Sequence, residues 1–143
     1  NVSFVAQAVD WIPESLFQIV TAAFRHRGFS FVRVLQRCPE FVGNMYEQWV
    51  HDPQRMLMLT HEDGVQVSPA LQKIYRNQQA HDPSDIHRAR EIASSEDPIP
   101  VGILYRNPAV PCYEDLRRAG MLRTAGSIKT SLEAEFDKFT VWP

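Results

Sequence analysis

Three consecutive patterns near the start of the chain restrict its fold more than anything that follows. Residues 2–9, VSFVAQAV, form an apolar, β-branched run. Leu16, Phe17, Ile19, Val20, Ala23 and Phe24 then recur at helical spacing. Asp10 stands in a possible N-cap region and Pro13 suits a first helical turn. Arg25, His26 and Arg27 suit the last turn, and Gly28 can close the helix in a left-handed conformation. Phe29, Phe31, Val32, Val34 and Leu35 make a second short apolar run. Strand, helix and strand over residues 1–38 predict an α/β fold, with two parallel strands joined by a crossover and covered by helices on both faces.

Beyond Phe41 the apolar groups are shorter and prolines more frequent. The chain is therefore expected to divide into the end of a parallel-sheet α/β domain, residues 1–41, and an irregular α+β extension, residues 42–143. Within the extension, residues 45–50 are expected as a short helix, and residues 56–59 as a strand turning at 61–64 into a hairpin with 65–67. The order DPSDIHRAREIASS offers Asp82 as a capping residue, Pro83 at an early helical position and a helix through Ala93. PIPVGILYR, residues 98–106, reads as a strand. Pro111 opens a short helix that Gly120 can end, and residues 127–139 form an amphipathic segment with Leu132, Phe136 and Phe139 on one side.

The balance of 15 basic against 17 acidic residues gives no electrostatic case for nucleic acid or an anionic membrane. No apolar run approaches the roughly 20 residues of a membrane-spanning helix, and the N-terminus lacks the layout of a signal peptide. A cytoplasmic protein is expected, and only two cysteines, Cys38 and Cys112, fit a reducing compartment. Because the chain opens on Asn1 within a strand already under way, it reads as the later part of a longer polypeptide.

Few residues carry chemistry. Cys38 stands at the carboxyl end of the second expected strand, where ligands of open parallel sheets gather. Pro39 behind it limits the backbone, which suits a fixed thiolate ligand and any strand exit alike. A free cysteine taken alone is more often a small buried hydrophobe. Cys112 at a helix start has no partner in sequence and is read as a packing residue. His81 and His87, with Asp82 and Asp85 between them, read as a solvated helix start rather than as metal ligands. Glu114, Asp115, Glu133 and Glu135 read as surface charge, and Trp11, Trp49 and Trp142 as packing residues. There is no C-x-x-C, H-E-x-x-H, G-x-S-x-G or phosphate-cradling glycine loop.

The strings SFVAQAVDW, HRGFSFVRVLQRCPEF and PIPVGILYRNPAVPCYEDL resemble the later half of the β subunit of 2-oxoacid:ferredoxin oxidoreductases. The likeness spans residues 1–41 and 98–116, with the region between matching in general layout. It implies a thiamine-diphosphate-binding domain ending near Phe41 and an extension packing on the core and on partner subunits. It also implies an enzyme that converts a 2-oxoacid and coenzyme A into acyl-CoA and carbon dioxide, with electrons passed through a [4Fe–4S] cluster to ferredoxin.

In such subunits the cluster sits on four cysteines, the last in a C-P motif, and Cys38 matches that last one. Iron–sulfur clusters take thiolate ligands, so the residue type is right. Arg33 or Arg37, if near the cluster, would favour its reduced state. The resemblance further implies thiamine diphosphate, Mg2+, an α subunit partner and a hetero-oligomer. LQRCPEF lacks the glycine–tryptophan pair that pyruvate-type relatives show after this cysteine, which favours the 2-oxoglutarate branch. The family's other three cysteines and its magnesium–pyrophosphate segment are absent from the chain, so its catalytic groups are expected upstream of Asn1. The competing reading is a non-catalytic interaction module that kept the fold without the cofactors.

Overall fold

The computed structural model describes residues 2–41, 43–62, 65–119 and 125–139. The chain divides into two compact units, up to Cys112 and from Tyr113 onward.

The first unit is built on a mixed sheet of five strands: β1 (Phe4–Val9), β2 (Ser30–Leu35), β3 (Met56–Thr60), β4 (Gln78–Ala80) and β5 (Ile99–Arg106), in the order β2-β1-β5-β3-β4. Its helices are α1 (Pro13–Arg25), α2 (Glu47–His51), α3 (Pro69–Ile74) and α4 (Ile86–Ala93). The second unit contains α5 (Tyr113–Arg118) and α6 (Ala125–Asp137).

The expected strand–helix–strand unit is present, with β1 and β2 parallel in a register from Phe4↔Ser30 to Val9↔Leu35. The sheet then crosses residue 41. β5 lies antiparallel to β1, Phe4↔Arg106 to Gln7↔Gly102, and parallel to β3, Met56↔Ile99 to Met58↔Val101. β4 closes the sheet parallel to β3. β1 and β2 therefore run opposite to β3, β4 and β5.

Phe4, Ile19, Met56 and Ile103 are fully buried where α1 meets the sheet. The apolar positions of α1 divide into two stripes. Leu16, Ile19, Ala22 and Ala23 pack on the sheet, whereas Phe17, Val20 and Phe24 face outward, Phe24 at 89% exposure.

Several local expectations are corrected. The residue capping α1 is Ile12, which offers no side-chain acceptor, and the Asp10 carboxylate bonds instead to Arg37. Gly28 lies past the helix end with φ +145°, and a Cβ there would meet the Ser3 hydroxyl at 2.5 Å. Its role is close approach within the crossover rather than helix closure. Residues 65–67 form no strand; Val65 and Val67 are buried in the core, and β3 pairs with β4 instead. The helix expected from Asp82 begins later, at Ile86. Asp85 caps it by accepting from the backbone N–H groups of His87 (2.9 Å) and Arg88 (3.0 Å), while Asp82 closes a turn on Ser84. The turn at Gly64, the helix stop at Gly120 and Trp142 fall outside the described residues.

Gly102 is the tightest point of the sheet. It has φ +140°, and a Cβ would sit 2.8 Å from the Cβ of Leu59. Gly102→Ala should destabilise the first unit by about 1–3 kcal/mol, combining backbone strain with a backbone-side clash. Denaturant midpoints of the two proteins check this, and an unchanged midpoint would contradict the packing described.

Candidate functional site

Cys38 follows β2 at its carboxyl end. There the Asp10 N–H donates to the Leu35 carbonyl (3.0 Å), joining the ends of the two parallel strands. The Asp10 carboxylate accepts from the backbone N–H of Arg37 (3.1 Å) and from its Nε (3.0 Å). The guanidinium lies 5.9 Å from the centre of the Trp11 ring. The Cys38 carbonyl accepts from the Gly43 N–H at 3.2 Å, in a turn that places Gly43 at φ +47°. Two anchors therefore hold the Cys38 backbone, one on each side of the residue.

The thiol is half-buried and not in a disulfide, as is that of Cys112. Arg37 is bound to Asp10, so its charge is partly balanced, and Arg33 is exposed. Among the described residues no group of three or more His, Cys, Asp or Glu side chains is placed to hold a metal ion. Cys38 thus belongs to no such group among the described residues.

The same end of the sheet carries a pocket of about 660 Å³ walled by Leu35, Tyr46, Trp49, Asp97 and Ile99. Its rim is fixed by charge. The Asp97 carboxylate accepts from Arg55 Nε (3.0 and 3.1 Å) and from Trp49 Nε1 (3.2 Å), and Arg55 also lies 5.4 Å from the Trp49 ring centre. The hydrogen bond from Arg55 is the main cause that lowers the Asp97 carboxyl below the usual carboxylate range. A depressed carboxylate contributes stability above its unfolded pKa and loses that stability as pH falls through the folded value. Acidification below about pH 4 should therefore lower the denaturation midpoint more for the parent protein than for Asp97→Asn. Equal acid sensitivity of the two would show that the pair contributes nothing.

The opposite end of the sheet holds two buried histidines. His61 directly follows β3 and is 7% exposed; His81 directly follows β4 and is 6% exposed. The reading of His81 as part of a solvated face is corrected. Its backbone N–H donates to the Thr60 carbonyl (3.0 Å), and its ring reaches across β3 so that Nε2 donates to the Leu104 carbonyl at 2.7 Å. His61 Nδ1 donates to the His81 carbonyl at 2.8 Å. Because carbonyls only accept, both tautomers are set by the backbone. The rings stand edge to face with centres 5.8 Å apart beside a pocket of about 700 Å³ that Asp82 and Gln66 also line.

His87, Asp82 and Asp85 remain on the exposed side as expected. Nothing in the local sequence marks the difference, since the burial of His81 comes from β5, far along the chain. His81→Leu should cost roughly 1–3 kcal/mol by leaving the Leu104 carbonyl without a donor, and a thermal or denaturant scan reads it.

Comparison with known proteins converges on one family. A family model for the C-terminal part of the pyruvate ferredoxin oxidoreductase beta subunit matches residues 71–119. The 2-oxoacid:ferredoxin oxidoreductase 2, subunit beta, of Aeropyrum pernix is 26% identical over 113 residues, covering 79% of this chain. The 2-oxoacid:ferredoxin oxidoreductase subunit beta of a Sulfolobus species is 26% identical over 122 residues, covering 82%. The chain is similar to 2-oxoacid:ferredoxin oxidoreductase β subunits. It spans about a third of the length of these relatives, 34% and 36%. A continuous match over 79% of 143 residues cannot avoid residues 31–113, so it contains Cys38 and both buried histidines.

Proposed function

We propose that this chain is part of the β subunit of a 2-oxoacid:ferredoxin oxidoreductase. Its reaction is the coenzyme-A-dependent oxidative decarboxylation of a 2-oxoacid to an acyl-CoA and carbon dioxide, with electrons passed to ferredoxin. The observation that carries the reading is the position of Cys38. It is a free, half-buried thiol held at the carboxyl end of a parallel strand, within a stretch similar to β subunits of that name.

Cys38 is assigned as one thiolate ligand of a [4Fe–4S] cluster. The turn to Gly43 and the Asp10–Arg37 bonds hold the backbone on both sides of it, which suits a ligand whose position must not change as charge arrives and leaves. Arg37, paired to Asp10, supplies a fixed dipole beside that position rather than a bare cation. When bound, the cluster would supply one-electron transfer and thiamine diphosphate with Mg2+ an electron sink for decarboxylation. The remaining thiolates and the diphosphate-binding groups are assigned to residues outside this chain. An α subunit, ferredoxin, coenzyme A and the 2-oxoacid are its partners, in a cytoplasmic hetero-oligomer. The absence of a glycine–tryptophan pair after Cys38 favours 2-oxoglutarate over pyruvate.

In the assembled, full-length enzyme, Cys38→Ser should lower iron per β subunit, remove the cluster's visible absorbance and abolish ferredoxin reduction, while Cys112→Ser leaves all three intact. Unchanged iron content in Cys38→Ser would refute the ligand assignment. The kcat/KM ratio for 2-oxoglutarate against pyruvate tests the branch, and a ratio below one overturns it.

A further inference from the structure

The apolar surface of the first unit is lopsided. Among its described residues eleven large apolar side chains are exposed, and nine of them lie between Val2 and Met45, including Phe17, Phe24, Phe29, Phe31 and Val34. All nine belong to the β1–α1–β2 unit or the segment that leaves it. Among the described residues from Tyr46 to Cys112, the exposed large apolar side chains are Ile74 and Ile86. Scattered apolar residues need no explanation, but a concentration on one side marks a surface that something covers.

The backbone agrees. β2 is an end strand, and among the described residues no strand pairs with its outer edge. The carbonyls of Phe29 and Leu35 accept from Phe4 (3.2 Å) and Asp10 (3.0 Å), so the odd-numbered residues of β2 turn their backbone groups toward β1. Successive residues of a strand turn to opposite sides, which aims the backbone N–H and C=O groups of Ser30, Val32 and Val34 outward. No proline or charged side chain stands at those three positions, although such residues are the usual guards of a free edge. Both faces of the strand carry large apolar side chains: Val32 packs in the core on the α1 side, and on the opposite face Phe31 is 52% exposed beside Arg33. Apart from Arg33, the strand has the apolar, β-branched composition of one covered on both sides. The outward stripe of α1, Phe17, Val20 and Phe24, repeats the message one layer out.

We infer that β2 is the seam at which this chain joins the remainder of its own subunit, a further strand pairing with the Ser30–Val32–Val34 edge and an apolar helix covering Phe31. The occupant is assigned to the same polypeptide because the chain spans only about a third of its relatives' length, and the exposed apolar residues gather around the free edge of β2, on both faces of the β1–α1–β2 unit. This rests on the reading of the chain as part of a longer β subunit.

In the full-length subunit, hydrogen exchange at the amides of Val32 and Val34 should be slowed at least about a hundredfold relative to an unstructured peptide. A benzophenone amino acid in place of Val34, or of Phe31 should the first variant misfold, should cross-link to a peptide of the same polypeptide outside the 143 residues. Cross-linking to a second copy or to the α subunit overturns the inference, as does fast exchange at both amides. The cofactor reading fails separately: if Cys38→Ser keeps its iron while the intramolecular cross-link persists, the seam stands and the ligand assignment falls.

Discussion

The whole first unit depends on β5 being shared by two ladders that run in opposite senses. Ile99 to Val101 pair in parallel with β3, and Gly102 to Arg106 pair antiparallel with β1. At the changeover the strand must pass close to Leu59, which only a glycine permits at φ +140°. Each ladder stops where the other takes over, and side chains complete what the backbone leaves. On the β1 side Gln7 Nε2 donates to the Pro100 carbonyl at 2.8 Å, and on the β3 side His81 Nε2 donates to the Leu104 carbonyl at 2.7 Å. A buried carbonyl without a donor is costly, so the two amphipathic side chains are structural parts of the sheet.

This explains which parts of the fold are legible from the amino acids. β1, α1 and β2 can be read because their apolar periodicity is local, and β5 because PIPVGILYR is a nearly continuous apolar run. The partner of β3 cannot. A turn at residues 61–64 between two apolar groups resembles a hairpin, yet Val65 and Val67 go into the core as coil and the short polar strand Gln78–Ala80 takes the edge. β4 carries too little apolar signal to announce itself; its place is decided by the His81 ring, and hence by a carbonyl 23 residues further along the chain.

The site is legible to a different extent. The position of Cys38 at a strand end follows from hydrophobic pattern alone, and the parallel pairing of β1 with β2 agrees with it. Its anchoring does not follow, because Asp10 reads in sequence as a helix cap. The choice between those roles is settled by position: Arg37 offers a backbone N–H and a guanidinium within 3.1 Å, while the cap position of α1 is Ile12, two residues beyond Asp10. Trp11 and Trp49 pack as anticipated, but each also lies against an arginine, Arg37 and Arg55, so the aromatic and charged groups at this end form one connected rim.

The opposed directions of the strands separate the two candidate centres. The carboxyl ends of β1 and β2, with Cys38, lie at one end of the sheet, and those of β3 and β4, with His61 and His81, at the other. Any electron-carrying group at Cys38 is therefore remote from the histidine pair, and the histidines need no part in it. At the Cys38 end two ion pairs, Arg37 with Asp10 and Arg55 with Asp97, stand beside the packed rings of Trp11, Tyr46 and Trp49. The Cys38 thiol is free and half-buried at this end, just beyond the apolar strand β2. On the proposed reading, a segment that pairs with the outer edge of β2 also comes close to Cys38, which follows β2 in the chain.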